Sequence, residues 1–303
     1  MNKMISAPIA LTLVLALLSG CSGQPATTQP PSGEQNSPTQ NLTPAPDANS
    51  DQSVKTGFSM VTSVSGSKDA ATDSDGNAQA DITLVAVTVT EDGVIESCVI
   101  DGIQSKIGFT SAGQLTTDPA TTFPSKNELG DTYGMKSASS IGREWNEQAA
   151  DLADYAVGKT VAQLKGLAVN EKGAPSDTDL AASVTISIGN FISGIEHAVN
   201  NAKHLGAKHG DRLVLSSSTT MSDSKDASKE EDGLAQAYTT AAALTFDGET
   251  ITSCYLDAVQ SNVYFNAEGT ITSDFSAVQL TKNQLGDDYG MKAASSIGKE
   301  WYE

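Results

Sequence analysis

The stretch ITLVAVTVT-EDG-VIESCVID, residues 82–101, decides the fold. Apolar and β-branched side chains alternate on both sides of Glu91-Asp92-Gly93, where a glycine supplies the positive φ that a tight hairpin requires. We therefore expect two antiparallel strands over residues 82–90 and 94–101. Residues 104–109 are typical of a third strand, and a turn at Ala112-Gly113 follows them. The pattern predicts an antiparallel β-meander.

The same pattern recurs 156 residues later. Residues 98–145 align with residues 254–301 without a gap, and half of the aligned positions are identical. The densest match pairs NELGDTYGMK, which begins at Asn127, with NQLGDDYGMK, which begins at Asn283. Residues 241–246, 250–256 and 260–265 correspond to the three strands. A repeat of this kind predicts that the module is duplicated.

Helical periodicity follows the strands of the first copy. Apolar residues recur at three- and four-residue steps at Met135, Ala138, Ile141, Trp145, Ala149, Leu152 and Ala156, and a second helical pattern covers residues 188–202. The expected class is therefore α+β, with an antiparallel meander packed by one or two amphipathic helices. We expect copy 1 to be complete over residues 56–209. Copy 2, residues 210–303, is expected to stop inside its first helix.

The N-terminus has the features of a lipoprotein leader. Lys3 precedes a short apolar run, and the sequence Leu18-Ser19-Gly20-Cys21 resembles the lipobox of bacterial lipoproteins. The apolar run is short for a bilayer span, which needs roughly 20 apolar residues. We expect residues 1–21 to be the signal peptide and lipobox, with Cys21 as the lipid anchor. Residues 22–55, rich in Pro, Thr, Ser and Gln, should form a disordered tether.

Composition excludes several classes of function. The chain has 37 acidic and 18 basic residues, a formal net charge of −19, so nucleic acid is an electrostatically poor partner. Three cysteines are too few for a protein of this size to be stabilised mainly by disulfide bonds. We expect Cys98 and Cys254 to be buried, unreactive thiols. No nucleophile or metal motif of the common hydrolases is present, so we expect no catalytic residue, no metal and no enzyme.

The histidines and the acidic loops give weaker signals. His197, His204 and His209 fall on or just after the second helix, and we interpret them as a solvated helix end rather than metal ligands. The Asp-rich loops at residues 69–81 and 223–232 lack the spacing of a calcium loop. They are interpreted as solvated, charged loops.

One segment of copy 1 resembles a known family. The sequence DLAASVTIS, residues 179–187, directly precedes the second helical pattern. It resembles the end of the FMN-binding lipoprotein family, where Ser-Gly-Ala-Thr-x-Ser precedes a helix. In that family a flavin transferase joins FMN to the threonine hydroxyl through a phosphoester, and the flavin relays electrons outside the membrane. The upstream hairpin and the YGMK sequence that begins at Tyr133 also resemble that family's layout.

The resemblance implies a cofactor site in copy 1. It assigns Thr185 as the attachment residue, with Ser183 in place of the family's glycine and Ser187 retained. A phosphate beside a helix N-terminus is stabilised by unpaired backbone N–H groups and by the helix dipole. The β-branched run Val184-Thr185-Ile186 is equally typical of a strand, in which Thr185 would only fill the sheet.

These observations predict a lipid-anchored, extracytoplasmic protein with tandem FMN-binding-like modules. It would serve either as an electron carrier, with FMN, a flavin transferase and a redox partner, or as a cofactor-free descendant that binds a ligand. Its membrane contact would be the lipid on Cys21. The alternative is a structural or adhesive repeat protein of the cell surface with no cofactor.

Overall fold

The computed structural model describes residues 52–303 and contains two antiparallel sheets of three strands each. The first sheet has the order β1 (Lys55–Ser63), β2 (Gly76–Val89) and β3 (Ile95–Phe109). The second has the order β4 (Arg212–Thr220), β5 (Gly233–Asp247) and β6 (Thr250–Phe265). With the helices described below, this arrangement confirms the α+β class and the antiparallel meander.

The strands are longer than the sequence pattern predicts. The segments predicted as two strands, residues 94–101 and 104–109, are joined in one continuous strand, β3, which runs from Ile95 to Phe109, so the prediction of a separate third strand was wrong. β3 continues through Gly102, where the missing side chain leaves room for an aromatic ring: a Cβ atom there would lie 3.2 Å from the Trp145 side chain. The third strand of each sheet is instead an edge strand that was missed, β1 or β4. Serine and threonine are frequent in both.

Within residues 52–303, six short or medium α-helices connect and cover the sheets. They are α1 (Lys126–Leu129), α2 (Trp145–Ala156), α3 (Val161–Lys165), α4 (Thr178–Ala181), α5 (Gly189–Asn200) and α6 (Lys282–Leu285). Three 3-10 helices cover Gly130–Tyr133, Gly286–Tyr289 and Met291–Ala293. The helix predicted from Met135 begins only at Trp145. Gly134 and Gly142 adopt φ of 79° and 65°, which ends any α-helix between them.

Two apolar cores hold these elements together. One lies between the inner faces of the two sheets and includes Phe58, Leu84 and Ile103 of the first sheet, with Val259 and Phe265 of the second. The other lies between the outer face of the first sheet and helices α2 and α5. There Trp145 packs edge-on against Phe191, with ring centroids 5.8 Å apart. Residues 52–303 belong to one compact unit, so the two sheets share a core.

The contacts between the sheets are reciprocal. Ala70 N donates to Gly269 O at 2.8 Å, and Ala227 N donates to Gly113 O at the same distance. Ala70 and Ala227 occupy matching places in the two halves, as do Gly113 and Gly269. Each half therefore donates one equivalent hydrogen bond to the other, as the two sides of an isologous interface do.

The N-terminal predictions lie outside the described residues. The signal peptide, the lipobox at Cys21 and the tether up to residue 51 are in this part of the chain. Within residues 52–303, none of the helices has the length and apolar character that crossing a membrane requires.

Candidate functional site

Thr185 lies in an irregular segment between α4 and α5, four residues before α5 begins. The alternative interpretation of residues 184–186 as a strand is therefore wrong. Its side chain is half-buried, while the neighbouring Val184 is fully buried in the core beneath α2 and α5. The buried valine fixes the segment against the core and leaves the threonine at its surface.

A glutamine on α2 holds Thr185 in place. The backbone N–H of Thr185 donates to Gln148 Oε1 at 2.8 Å, and its hydroxyl donates to the same oxygen at 3.1 Å. The backbone donor of Thr185 is thus satisfied by a side chain rather than by a neighbouring strand.

Gln148 is itself fixed. Its side chain is fully buried, and its Nε2 donates to Ser139 Oγ and to the Arg143 carbonyl oxygen, both at 3.2 Å. Both amide ends of the side chain are thus paired with protein groups. The hydroxyl of Thr185 therefore has a defined direction.

Thr185 borders a cavity of about 270 Å³. Polar lining residues are Ser140, Asn170 and Lys172, and apolar ones include Ala174 and Val184. Small-molecule sites typically enclose roughly 300–1,000 Å³. The cavity thus has room for part of a mononucleotide, such as its phosphate and the nearest part of its chain. A lysine, an amide and two hydroxyls are suited to an anionic oxygen-rich group.

A tight turn connects the wall of the cavity with the start of α5. Gly173 adopts φ of 76° and donates from its N–H to Asn170 O at 2.9 Å. The backbone N–H of Ile188 then donates to Gly173 O at 3.0 Å, which joins the turn to the N-cap residue of α5. The N-cap side chain makes no capping hydrogen bond. A helix end of this kind carries partial positive charge.

The three predicted cofactor residues are not all at one place. Ser187 is exposed and faces the same turn, since a Cβ atom on Gly173 would lie 2.6 Å from Ser187 Oγ. Ser183 borders a different cavity, of about 380 Å³, which Asp151, Asp154 and Asp179 also line.

That second cavity is acidic. Burial, with the charge of Asp151 as a smaller cause, raises the pKa of the Asp154 carboxyl. A phosphate would meet like charge there. The structure therefore groups Thr185 and Ser187 around the turn at Asn170 and separates Ser183 from them.

Sequence reasoning missed Gln148, Asn170 and Lys172. Gln148 carried a signal, because it is a polar residue inside the apolar stripe of α2 next to Ala149. A polar side chain at such a position needs a hydrogen-bond partner in the core. Asn170 lies three residues before a glycine, a pattern typical of turns, but nothing local joins that turn to Thr185.

The two cysteines of the sheets are not equivalent in environment. Cys98 is buried, and burial raises the pKa of its thiol to about 12. Cys254 is exposed, so the prediction that it is buried was wrong. Helices α2 and α5 cover the face on which Cys98 lies, whereas no such helices cover Cys254 in the part of the chain described.

The histidines and the acidic loops take part in specific contacts. His204 Nε2 lies 2.8 Å from Glu91, and His209 Nδ1 lies 3.0 Å from Glu96, so these two side chains are partnered rather than merely solvated. In the acidic loops, Asp69 accepts from the backbone of the opposite half at 2.7 Å. Among residues 52–303, no cluster of three or more His, Cys, Asp or Glu side chains is arranged to hold a metal ion.

No family model, curated protein or solved structure matches this chain.

Proposed function

We propose that this chain is a lipid-anchored extracytoplasmic protein whose two halves are copies of an FMN-binding-like module. Its first half would carry FMN on Thr185 and pass electrons between partners outside the membrane. The lipid on Cys21 would hold it at the cell membrane. The single observation that carries the proposal is the position of Thr185, a half-buried residue that lines an open cavity four residues before a 12-residue helix.

The electrostatics around Thr185 favour a phosphoester. Lys172 lines the cavity and brings a positive charge to it, which stabilises an anion. The turn that contributes Asn170 and Lys172 to the cavity wall is hydrogen-bonded to Ile188, the N-cap residue of α5, so the positive end of that helix lies nearby. The strongly negative chain as a whole would repel a flavin phosphate, so a local positive site is needed to hold one.

The size of the cavity limits how FMN would bind. About 270 Å³ accommodates the phosphate end, so the flavin ring would lie at the mouth and stay accessible to a redox partner. Such an arrangement is suited to electron transfer, since the partner needs only to approach the ring. It is unsuited to an enzyme that must enclose its substrate.

Attachment would require a separate flavin transferase and a flavin dinucleotide as donor. The Thr185 oxygen would bond to the flavin-side phosphorus while the phosphoanhydride bond breaks. The nucleoside monophosphate would leave, and the hydroxyl proton would pass to a base of the transferase. Gln148 accepts this hydroxyl's hydrogen bond and cannot itself take the proton.

The proposal is tested by co-expressing the full chain with a flavin transferase and measuring protein-bound visible flavin absorbance after denaturation. We expect the native chain and Thr185→Ser to retain flavin, and Thr185→Ala to lose it. Ser183→Ala is the matched control, because Ser183 borders the acidic cavity and its variant should keep the flavin. A colourless native chain would leave the cofactor-free or structural surface protein as the better interpretation.

A further inference from the structure

The two halves of the chain are joined by a short segment, residues 201–211, which lies between α5 and β4. Most of this segment is bound to the first half. Antiparallel bridges at Lys203 and Lys208 pair it with residues around the start of β1. Only residues 209–211 therefore separate the part that is bound to the first half from the first residue of β4.

Residues 208–211 form a tight turn, which is called the hinge turn below. Asp211 N donates to Lys208 O at 3.2 Å, and Lys208 N donates to Asp211 Oδ2 at 2.9 Å. Gly210 adopts φ of 82°, a conformation that residues with a side chain rarely adopt, and its N–H donates to Glu96 Oε1 at 2.8 Å. A few hydrogen bonds and one glycine therefore set the direction in which β4 leaves the first half.

The interface between the halves has the form of an interface between two subunits. Leu115 N donates to Asp226 Oδ1 at 2.7 Å, and Ile271 N donates to Asp69 Oδ1 at the same distance. Leu115 and Ile271 occupy matching places in the two halves, as do Asp69 and Asp226. These contacts are noncovalent and need only the two surfaces. The second half of another copy therefore offers the first half the same groups.

A half without its partner would expose an apolar surface. The inner face of the second sheet carries Ala243, Val259, Val263 and Phe265, each at most 2% exposed while the two halves of one chain pack together. Exposed apolar surface of this kind favours association. A chain whose hinge turn opens must therefore cover this face again, either with its own first half or with the first half of a second copy.

We propose that two copies of this chain exchange halves through the hinge turn. In the exchanged dimer the hinge turn is extended, and the second half of each chain packs on the first half of the other. The contacts between the sheets are the same in both forms, so the single chain and the dimer differ mainly at residues 208–211. Closure within one chain is favoured at low protein concentration, because the short connection keeps the halves together, and exchange is favoured as the concentration rises. The proposal is independent of flavin.

A pair of cysteine variants tests the exchange. The hydroxyl oxygens of Thr56 on β1 and Ser253 on β6 lie 2.7 Å apart, so cysteines at these positions are close enough to form a disulfide bond, whose length is about 2.0 Å. One full chain carries Thr56→Cys and the other carries Ser253→Cys, and both carry Cys21→Ser and Cys254→Ser. The two chains are unfolded, mixed, refolded under mild oxidation and analysed by non-reducing gel electrophoresis.

We expect a covalent dimer whose yield rises with the protein concentration during refolding, because only exchange brings the first half of one chain against the second half of the other. Two chains that both carry Thr56→Cys are the control and should give no covalent dimer, since their remaining Cys98 is buried. Absence of the covalent dimer at every concentration, with both chains folded by circular dichroism, would overturn the proposal.

Gly210→Val gives a second test that needs no new cysteine. Valine disfavours the positive φ of the hinge turn and accepts an extended backbone, so the dimerisation constant should rise about tenfold or more. Gly248→Val is the matched control, because Gly248 has φ of 58° in the turn that joins β5 and β6 within one half. At both glycines no atom lies within 4 Å of an added Cβ. Equal dimerisation constants, measured by size-exclusion chromatography with light scattering in chains carrying Cys21→Ser, would also overturn the proposal.

Discussion

Phe109 and Phe265 stack face to face between the two sheets, with ring centroids 4.2 Å apart and ring planes 8° from parallel. The two residues end β3 and β6 and occupy matching places in the two halves. Each ring also covers the first residue of its own neighbouring strand, Gly76 or Gly233, where a Cβ atom would lie 2.3 or 2.5 Å from the ring. The halves thus meet through the same residue on each side.

We expect Phe109→Ala and Phe265→Ala to lower the free energy of unfolding by similar amounts, ~3–5 kcal/mol each. Both rings are fully buried, and either substitution removes the same stacking contact between them. The double variant should lose less than the sum, since the two side chains contact one another. Chemical denaturation of the full chain measures all three values. Phe275→Ala, at an exposed residue, is the control and should have little effect.

Gly113 tests the reciprocal loop contact. Its φ is 69°, and a Cβ atom would lie 2.7 Å from the Cβ of Ala227. Gly93 has a similar φ of 76° with nothing within 4 Å, so Gly93→Ala should cost only the backbone strain, ~1–2 kcal/mol. We expect Gly113→Ala to lower the free energy of unfolding by more than Gly93→Ala does, because the new methyl group would collide with Ala227 of the opposite half in addition to straining the backbone. Equal losses in thermal or chemical unfolding would contradict a close contact between the loops.

Asp101 should make stability depend on pH. Burial raises the pKa of its carboxyl, although hydrogen bonds from Ser125, Asn127 and Gly102 act against this. The folded protein then binds the proton more tightly than the unfolded chain does. The free energy of unfolding should therefore fall as pH rises from about 3.9, the usual pKa of an aspartate, through the raised folded pKa.

Asp101→Asn keeps an acceptor oxygen and removes the charge, so it should flatten this part of the stability profile. Urea denaturation at a series of pH values measures it, with exposed Asp92→Asn as the control. An unchanged slope in Asp101→Asn would show that the buried carboxyl is not the cause. Burial also raises the pKa of the Asp257 carboxyl on β6. We therefore expect Asp257→Asn to flatten the pH dependence of stability in the same way.

Gln148 should be needed for a well-placed Thr185. Gln148→Leu leaves the Thr185 N–H and hydroxyl without their acceptor, which should cost ~1–3 kcal/mol of stability and reduce flavin attachment. Gln148→Glu keeps an acceptor oxygen and should retain more flavin than the leucine variant. Flavin per protein, compared between variants at equal folded fraction by circular dichroism, measures this. Equal attachment in both variants would contradict a positioning role.

The class of fold could be predicted because its signals are local. Alternating apolar residues on both sides of Glu91-Asp92-Gly93 identify the central hairpin, and glycine allows its turn. The bounds of the helix at Trp145 could not be predicted in the same way. The apolar spacing continues upstream through Met135, and only the positive φ of Gly134 and Gly142 ends the regularity.

The candidate site could be predicted only in part. Thr185 stands out by its motif, but its partner Gln148 lies 37 residues earlier on a helix, and only the packed fold brings them together. The exposure of Cys254 likewise depends on which distant parts of the chain pack against its strand. Its local sequence is as strand-like as that of Cys98, and the difference between them is the helical cover over one sheet.

The most direct test of the central proposal is the mass of the peptide that contains Thr185, from the full chain co-expressed with a flavin transferase. We expect that peptide to carry the mass of FMN less one water, with the modification on Thr185 and none on Ser183 or Ser187. An unmodified peptide from chain that was folded and exported alongside an active transferase would contradict the account.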